Sequence, residues 1–127
     1  MSNPNSLYAR IGGEEGVIRL VQAYIQALKT LPEVQNLRNI YPKDLSKYES
    51  RMVEYLSTWL GGPALYQARH GLPMLRETHR HFPIDSEARD EWMLCMRTAL
   101  EQTIDDADFR LYLEGAFWRM ADSLITK

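Results

Sequence analysis

The sequence predicts an all-α protein, on three observations. Apolar residues recur at three- and four-residue steps in several stretches, and no stretch shows the strict alternation of a strand. Prolines and paired glycines fall between those stretches, at Gly12-Gly13, Pro32, Pro42, Gly61-Gly62-Pro63 and Pro83. At 127 residues and 45% apolar content the chain has enough for one core and too little for two. One domain over residues 7–127 is expected, built of two long antiparallel helix pairs that cross, behind a loose polar tail of residues 1–6.

The first helix follows Gly12-Gly13, from Glu14 to about Leu31. Val17, Val21, Tyr24, Ile25 and Leu28 share one face, with Arg19, Gln22, Gln26 and Lys29 opposite. Pro32 permits a boundary, and Glu33–Ile40 reads as a short helical piece stopped at Tyr41-Pro42, because the residue before a proline is pushed out of the helical region. Ser46-Lys47-Tyr48-Glu49 has the spacing of a capping box and predicts the next helix start. Its inward stripe is Tyr48, Met52, Tyr55, Leu56 and Trp59, and Gly61-Gly62-Pro63 ends it. Pro63 to Leu72 reads as loop, and Met74 to about Arg80 as a short helix carrying His79. Asp85 or Ser86 caps a helix with Trp92, Cys95, Met96, Ala99 and Leu100 on one side. Asp105 and Asp106 open the last, whose stripe is Phe109, Leu113, Ala116, Phe117, Met120 and Leu124.

Composition excludes several classes. The formal charge of −2 is intermixed, without the basic stripe that nucleic acid or an anionic membrane surface requires. No signal peptide or membrane-spanning run is readable, and the single cysteine, Cys95, makes neither an internal disulfide nor a metal site by itself, so a reducing, cytoplasmic setting is expected. The glycine pairs punctuate helices and do not follow strands as phosphate loops do. His79 and His81, one residue apart, cannot share a helix face, so they are not a two-histidine zinc pair. A lone inward histidine is more commonly a hydrogen-bonded structural residue than a ligand. Tyr24, Tyr41, Tyr48, Met52, Tyr55, Trp59 and Trp92 all fall on inner stripes. Their polar tips either line a wet or ligand-filled cavity or reach the surface between helices, and composition leaves both open.

The order of motifs LYARIGG, LPEVQNLRNIYPKDLS, YLSTWLGGPALY, GLPMLRETHRHFPI and ARDEWMLCM resembles the group II truncated haemoglobins, short globins with a two-over-two helical sandwich. The likeness runs from about Leu7 to Leu124. It implies haem b, with His79 as the proximal iron ligand, since His79-Arg80-His81-Phe82-Pro83-Ile84 matches the family's proximal frame. Trp92 matches the inward tryptophan that marks the group. Met52, Tyr55, Arg76, Phe82, Ile84 and Trp92 are then expected around the cofactor, and Arg76, Arg80 or Lys47 beside its propionates.

The resemblance also implies a ligand pocket of Ile25, Tyr41, Tyr48, Met52 and Trp92, with departures. Counted from Gly12-Gly13, the position that usually bears a ligand-binding tyrosine is Ile25, and Tyr24 stands where an aromatic neighbour normally sits. Counted back from Gly61-Gly62, Tyr48 occupies a distal position where relatives commonly have a small residue. Tyr48 and Trp92, helped by Tyr41, are expected to replace the missing phenol. Reversible binding of dioxygen or another diatomic ligand, for transport, storage or sensing, is the expected role. The alternative is a redox enzyme acting on nitric oxide or peroxide, the former with a reductase partner. Fold does not choose between them.

Overall fold

The computed structural model describes residues 6–64 and 84–125, which form six α-helices and one 3-10 turn, with no strand among them. The first helix, α1 (Leu7–Ile11), has no periodic stripe to announce it. Ser6, counted with the loose tail in the sequence, is its N-cap, with Oγ accepting from the Ala9 N–H at 3.1 Å. Gly12 ends α1 at a left-handed φ of 108° and begins α2 (Gly13–Thr30). A Cβ on Gly16 would stand 1.9 Å from the Ile11 carbonyl oxygen, so α1 can lie across α2 only because that residue is glycine.

The expected helical piece from Glu33 divides in two. A 3-10 turn (Pro32–Val34) precedes α3 (Gln35–Ile40), because Val34, at φ −113° and ψ 26°, breaks the helical path. No side chain at the start of α3 caps it. Glu91, 54 residues along the chain from Leu37, does so instead: its Oε1 accepts from the Leu37 N–H at 3.0 Å in a buried setting. At the other end the Arg38 guanidinium donates to the carbonyls of Tyr41, Pro42 and Lys43 at 3.4, 3.0 and 3.0 Å. Both ends of this six-residue helix are therefore tied by side chains.

The capping box expected at Ser46 does not form. Ser46 is the first residue of α4 (Ser46–Trp59), and its N–H and Oγ both donate to Asp44 Oδ1, at 3.0 and 2.8 Å. The carboxylate two residues earlier is the stronger acceptor and takes the serine for itself. Those two bonds hold the Asp44 carboxyl below its usual range. The other end follows the sequence. Gly61 is left-handed at φ 91°, and the N–H groups of Gly61 and Gly62 donate to the Thr58 and Ser57 carbonyls at 3.0 and 2.8 Å, a Schellman motif. A Cβ on Gly62 would come within 2.5 Å of the Tyr8 ring, and the Tyr8 N–H donates to the Leu60 carbonyl at 2.8 Å, so α1 docks on the end of α4.

Asp85 caps α5 (Ser86–Thr103) through the Ala88 N–H at 2.8 Å, and Asp106 caps α6 (Ala107–Asp122) through Asp108 and Phe109. Helix α5 packs most extensively on α2 and next on α6, while α2 also packs on α4. This is the two-over-two arrangement, α2 and α4 against α5 and α6. Leu20, Leu28, Leu56, Met96, Leu100, Leu113 and Phe117 are fully buried between the layers. No helix among the described residues is long and apolar enough to cross a membrane.

Candidate functional site

The interior does not close completely. A mostly apolar cavity of about 430 Å³ opens where the end of α3, the inner face of α4 and facing parts of α5 and α6 converge. Its size falls within the roughly 300–1,000 Å³ of pockets that bury drug-sized ligands. Tyr41 reaches it from the end of α3, and Tyr48, Met52 and Tyr55, at three- and four-residue steps, from α4. Ala88 and Trp92, one turn apart, face it from α5; Met120 and Leu124 close it from the α6 side. Ile84, just before the Asp85 cap, adds an apolar edge.

One wall is a cluster of aromatic rings. The Tyr41 hydroxyl donates to the Tyr48 hydroxyl at 3.1 Å, with ring centroids 4.5 Å apart. Behind them Tyr24 of α2 is fully buried, its ring 6.5 Å from Tyr48 and 5.8 Å from Trp92. The Tyr24 hydroxyl has no hydrogen-bond partner. Trp92 is supported by the edge of Phe117 at 5.9 Å, and Phe117 in turn stacks on Trp59 at 4.9 Å. Burial pushes all three phenols above the usual tyrosine range. For Tyr24 and Tyr41 the neighbouring Tyr48 adds to the rise, whereas for Tyr48 the phenols of Tyr41 and Tyr24 and the Trp92 indole oppose it. Tyr48 is thus the group on which the other polar tips converge, and at neutral pH all three remain protonated donors.

The rim is charged. Lys47 and Arg51, one turn apart on α4 and both exposed, line the opening beside Asp44. Arg89 also lines it, but its guanidinium is engaged by Asp122 at 2.7 Å and Asp90 at 3.0 Å.

Of the residues singled out in the sequence, the fold brings Tyr41, Tyr48, Met52, Tyr55, Ile84, Trp92 and Lys47 to one cavity. Ile25 is buried in the core of α2 and is not among the lining residues. Arg76, His79, Arg80 and Phe82 lie outside the described residues, as do all three histidines, His70, His79 and His81. Sequence reasoning missed Arg51, which its position four residues after Lys47 signals, and the free hydroxyl of Tyr24, which nothing local signals.

A family model described as bacterial-like globin matches residues 6–124. The group 2 truncated haemoglobin YjbI of Bacillus subtilis (strain 168) is 36% identical over 111 residues, 87% of this chain and 81% of that protein. Among solved structures, the cold-adapted truncated haemoglobin of the Antarctic marine bacterium Pseudoalteromonas haloplanktis TAC125 superposes with a TM-score of 0.94 at 34% identity, covering 97% of this chain and 99% of the other. The group II 2-on-2 haemoglobin of the plant pathogen Agrobacterium tumefaciens gives 0.92 at 40% identity, covering 98% of each chain.

Globins bind haem with its iron, and this cavity fits such a group on its own features. Its walls are apolar, two cations at the rim suit the carboxylates of an amphiphilic macrocycle, and the buried, unpartnered phenol of Tyr24 stands behind donors that face the space within.

Proposed function

Since this chain belongs to the bacterial-like globin family, as a group II truncated haemoglobin, we propose that it reversibly binds dioxygen or another diatomic ligand. The observation that carries this reading is the wall of donors, Tyr41, Tyr48 and Trp92, gathered on one apolar cavity. Haem iron supplies the centre to which a diatomic ligand attaches. His79 is the proximal ligand in this reading, supported by its frame with Phe82 and Ile84. Ile84, the last residue of that frame, lines the cavity.

The residues of this chain do the rest. A diatomic ligand that gains negative charge on binding is stabilised by donors already aimed at it in a dry pocket. The Tyr48 hydroxyl and the Trp92 indole N–H are those donors. Each hydrogen bond to a charged acceptor is worth about 1.5–3 kcal/mol, enough to slow ligand release roughly tenfold or more. Met52, Tyr55 and Leu56 line the α4 side with apolar surface, and Lys47 and Arg51 at the rim would hold the propionates of the bound group.

The test is the visible absorption spectrum of the protein after haemin addition, ferric, ferrous and carbonyl-bound, beside His79→Ala. A globin-type carbonyl band in the wild type, with the axial-ligand signature lost or altered in the variant, is expected. Failure of the wild type to take up haemin refutes the reading.

A further inference from the structure

The Tyr24 hydroxyl is the one buried side-chain polar atom without a partner among the described residues. A buried, unpaired hydroxyl is costly, so a phenylalanine would serve the packing of α2 better. Its position says what it serves. Its ring packs against Tyr48 and Trp92, the two residues that line the cavity and bear the donors assigned to the ligand. Ile25, the next residue, has no donor to offer.

A count of protons and lone pairs defines the role. A tyrosine hydroxyl has one proton to donate and two acceptor sites. The Tyr41 hydroxyl, donating at 3.1 Å, takes one acceptor site of the Tyr48 oxygen, which leaves the Tyr48 proton for the cavity and a second acceptor site that becomes open once the Trp92 indole N–H serves the ligand. We infer that Tyr24 is a positioning residue for ligand binding: its hydroxyl donates into that open site when Tyr48 gives its proton to a ligand. Donors at both acceptor sites polarise the Tyr48 O–H bond and fix the direction of its proton, by the cooperativity of linked hydrogen bonds. The strength of the bond to the ligand is thereby set by a residue of α2 that does not touch the ligand. This inference rests on the proposed function.

The experiment is Tyr24→Phe in the haem-loaded protein, alone and combined with Tyr48→Phe. Cooperative strengthening of about 10–30% on a bond to a charged acceptor predicts oxygen dissociation roughly 1.3- to 4.5-fold faster in Tyr24→Phe. The C–O stretch of the carbonyl adduct should move to higher frequency as the donor weakens. In the Tyr48→Phe background both changes should vanish, while the apoprotein of Tyr24→Phe unfolds no earlier than the wild type. Unchanged dissociation and stretch in Tyr24→Phe overturn the inference, and so does an effect of equal size in the double variant, which would put Tyr24 on the ligand directly. Absence of haem uptake in the wild type instead refutes the proposed function, and this inference with it.

Discussion

Glu91→Ala should loosen α3 and with it the wall of the cavity that Tyr41 supplies. Helix α3 has only six residues, far below the length at which a helix holds in water without outside support, and no residue at its own start caps it. Its N-terminal tie is the Glu91 carboxylate, 8% exposed, accepting from the Leu37 N–H at 3.0 Å. A buried hydrogen bond to a charged acceptor contributes about 1.5–3 kcal/mol, and a carboxylate at a helix N-terminus adds a few tenths through the helix dipole. The expected loss is about 2–3 kcal/mol. At roughly 3–5 °C per kcal/mol for a domain of this size, the melting temperature should fall by about 6–15 °C. Glu91→Gln keeps an oxygen acceptor without the charge and should lose about half as much. Thermal unfolding followed by circular dichroism measures both. A Glu91→Ala protein within about 0.5 kcal/mol of the wild type, or a glutamine variant as damaged as the alanine one, refutes the assignment of Glu91 as the cap of α3.

Two further outcomes follow from the same packing. Gly16→Ala places a Cβ 1.9 Å from the Ile11 carbonyl oxygen, a backbone atom that cannot turn aside, so α1 must lift from α2. A loss above about 2 kcal/mol is expected in urea unfolding, as for other strongly overpacked sites. Alkaline stability gives the second. Burial raises the Cys95 thiol from 9.0 to about 12, and Tyr24, Tyr41 and Tyr48 are raised above 10.0. A group whose pKa is higher in the folded than in the unfolded chain contributes stability fully below the unfolded value and loses it as pH rises through the folded one. Stability should therefore decline from about pH 9, first through Cys95 and then, above pH 10, through the tyrosines. Ultraviolet titration of the native protein should show Tyr24, Tyr41 and Tyr48 ionising above the usual tyrosine range, and Cys95 should resist alkylation at pH 9 until urea is added. Tyr24, Tyr41 and Tyr48 titrating in the usual tyrosine range in the native protein would contradict the structure.

The helices were legible in the sequence because their signals are local. Apolar spacing marked α2, α4, α5 and α6, and the caps Asp85, Asp106 and Gly61 lie next to the turns they close. Local reading failed where two local partners compete, as when Asp44 captures Ser46 and leaves no capping box. It failed also where no stripe exists, as in α1, held by Tyr8 against the end of α4. For the site, the motif order named Tyr41, Tyr48, Met52, Tyr55, Ile84 and Trp92, and these line one cavity, because three- and four-residue steps put side chains on one face. Tertiary structure alone decided that Ile25 belongs to the core and that its neighbour Tyr24 carries an unpaired hydroxyl behind Tyr48. It alone decided that α3 is capped from α5, by Glu91. Periodicity assigns a residue to a face, but which partner meets it there depends on how separate helices pack, and that is set by the whole chain at once.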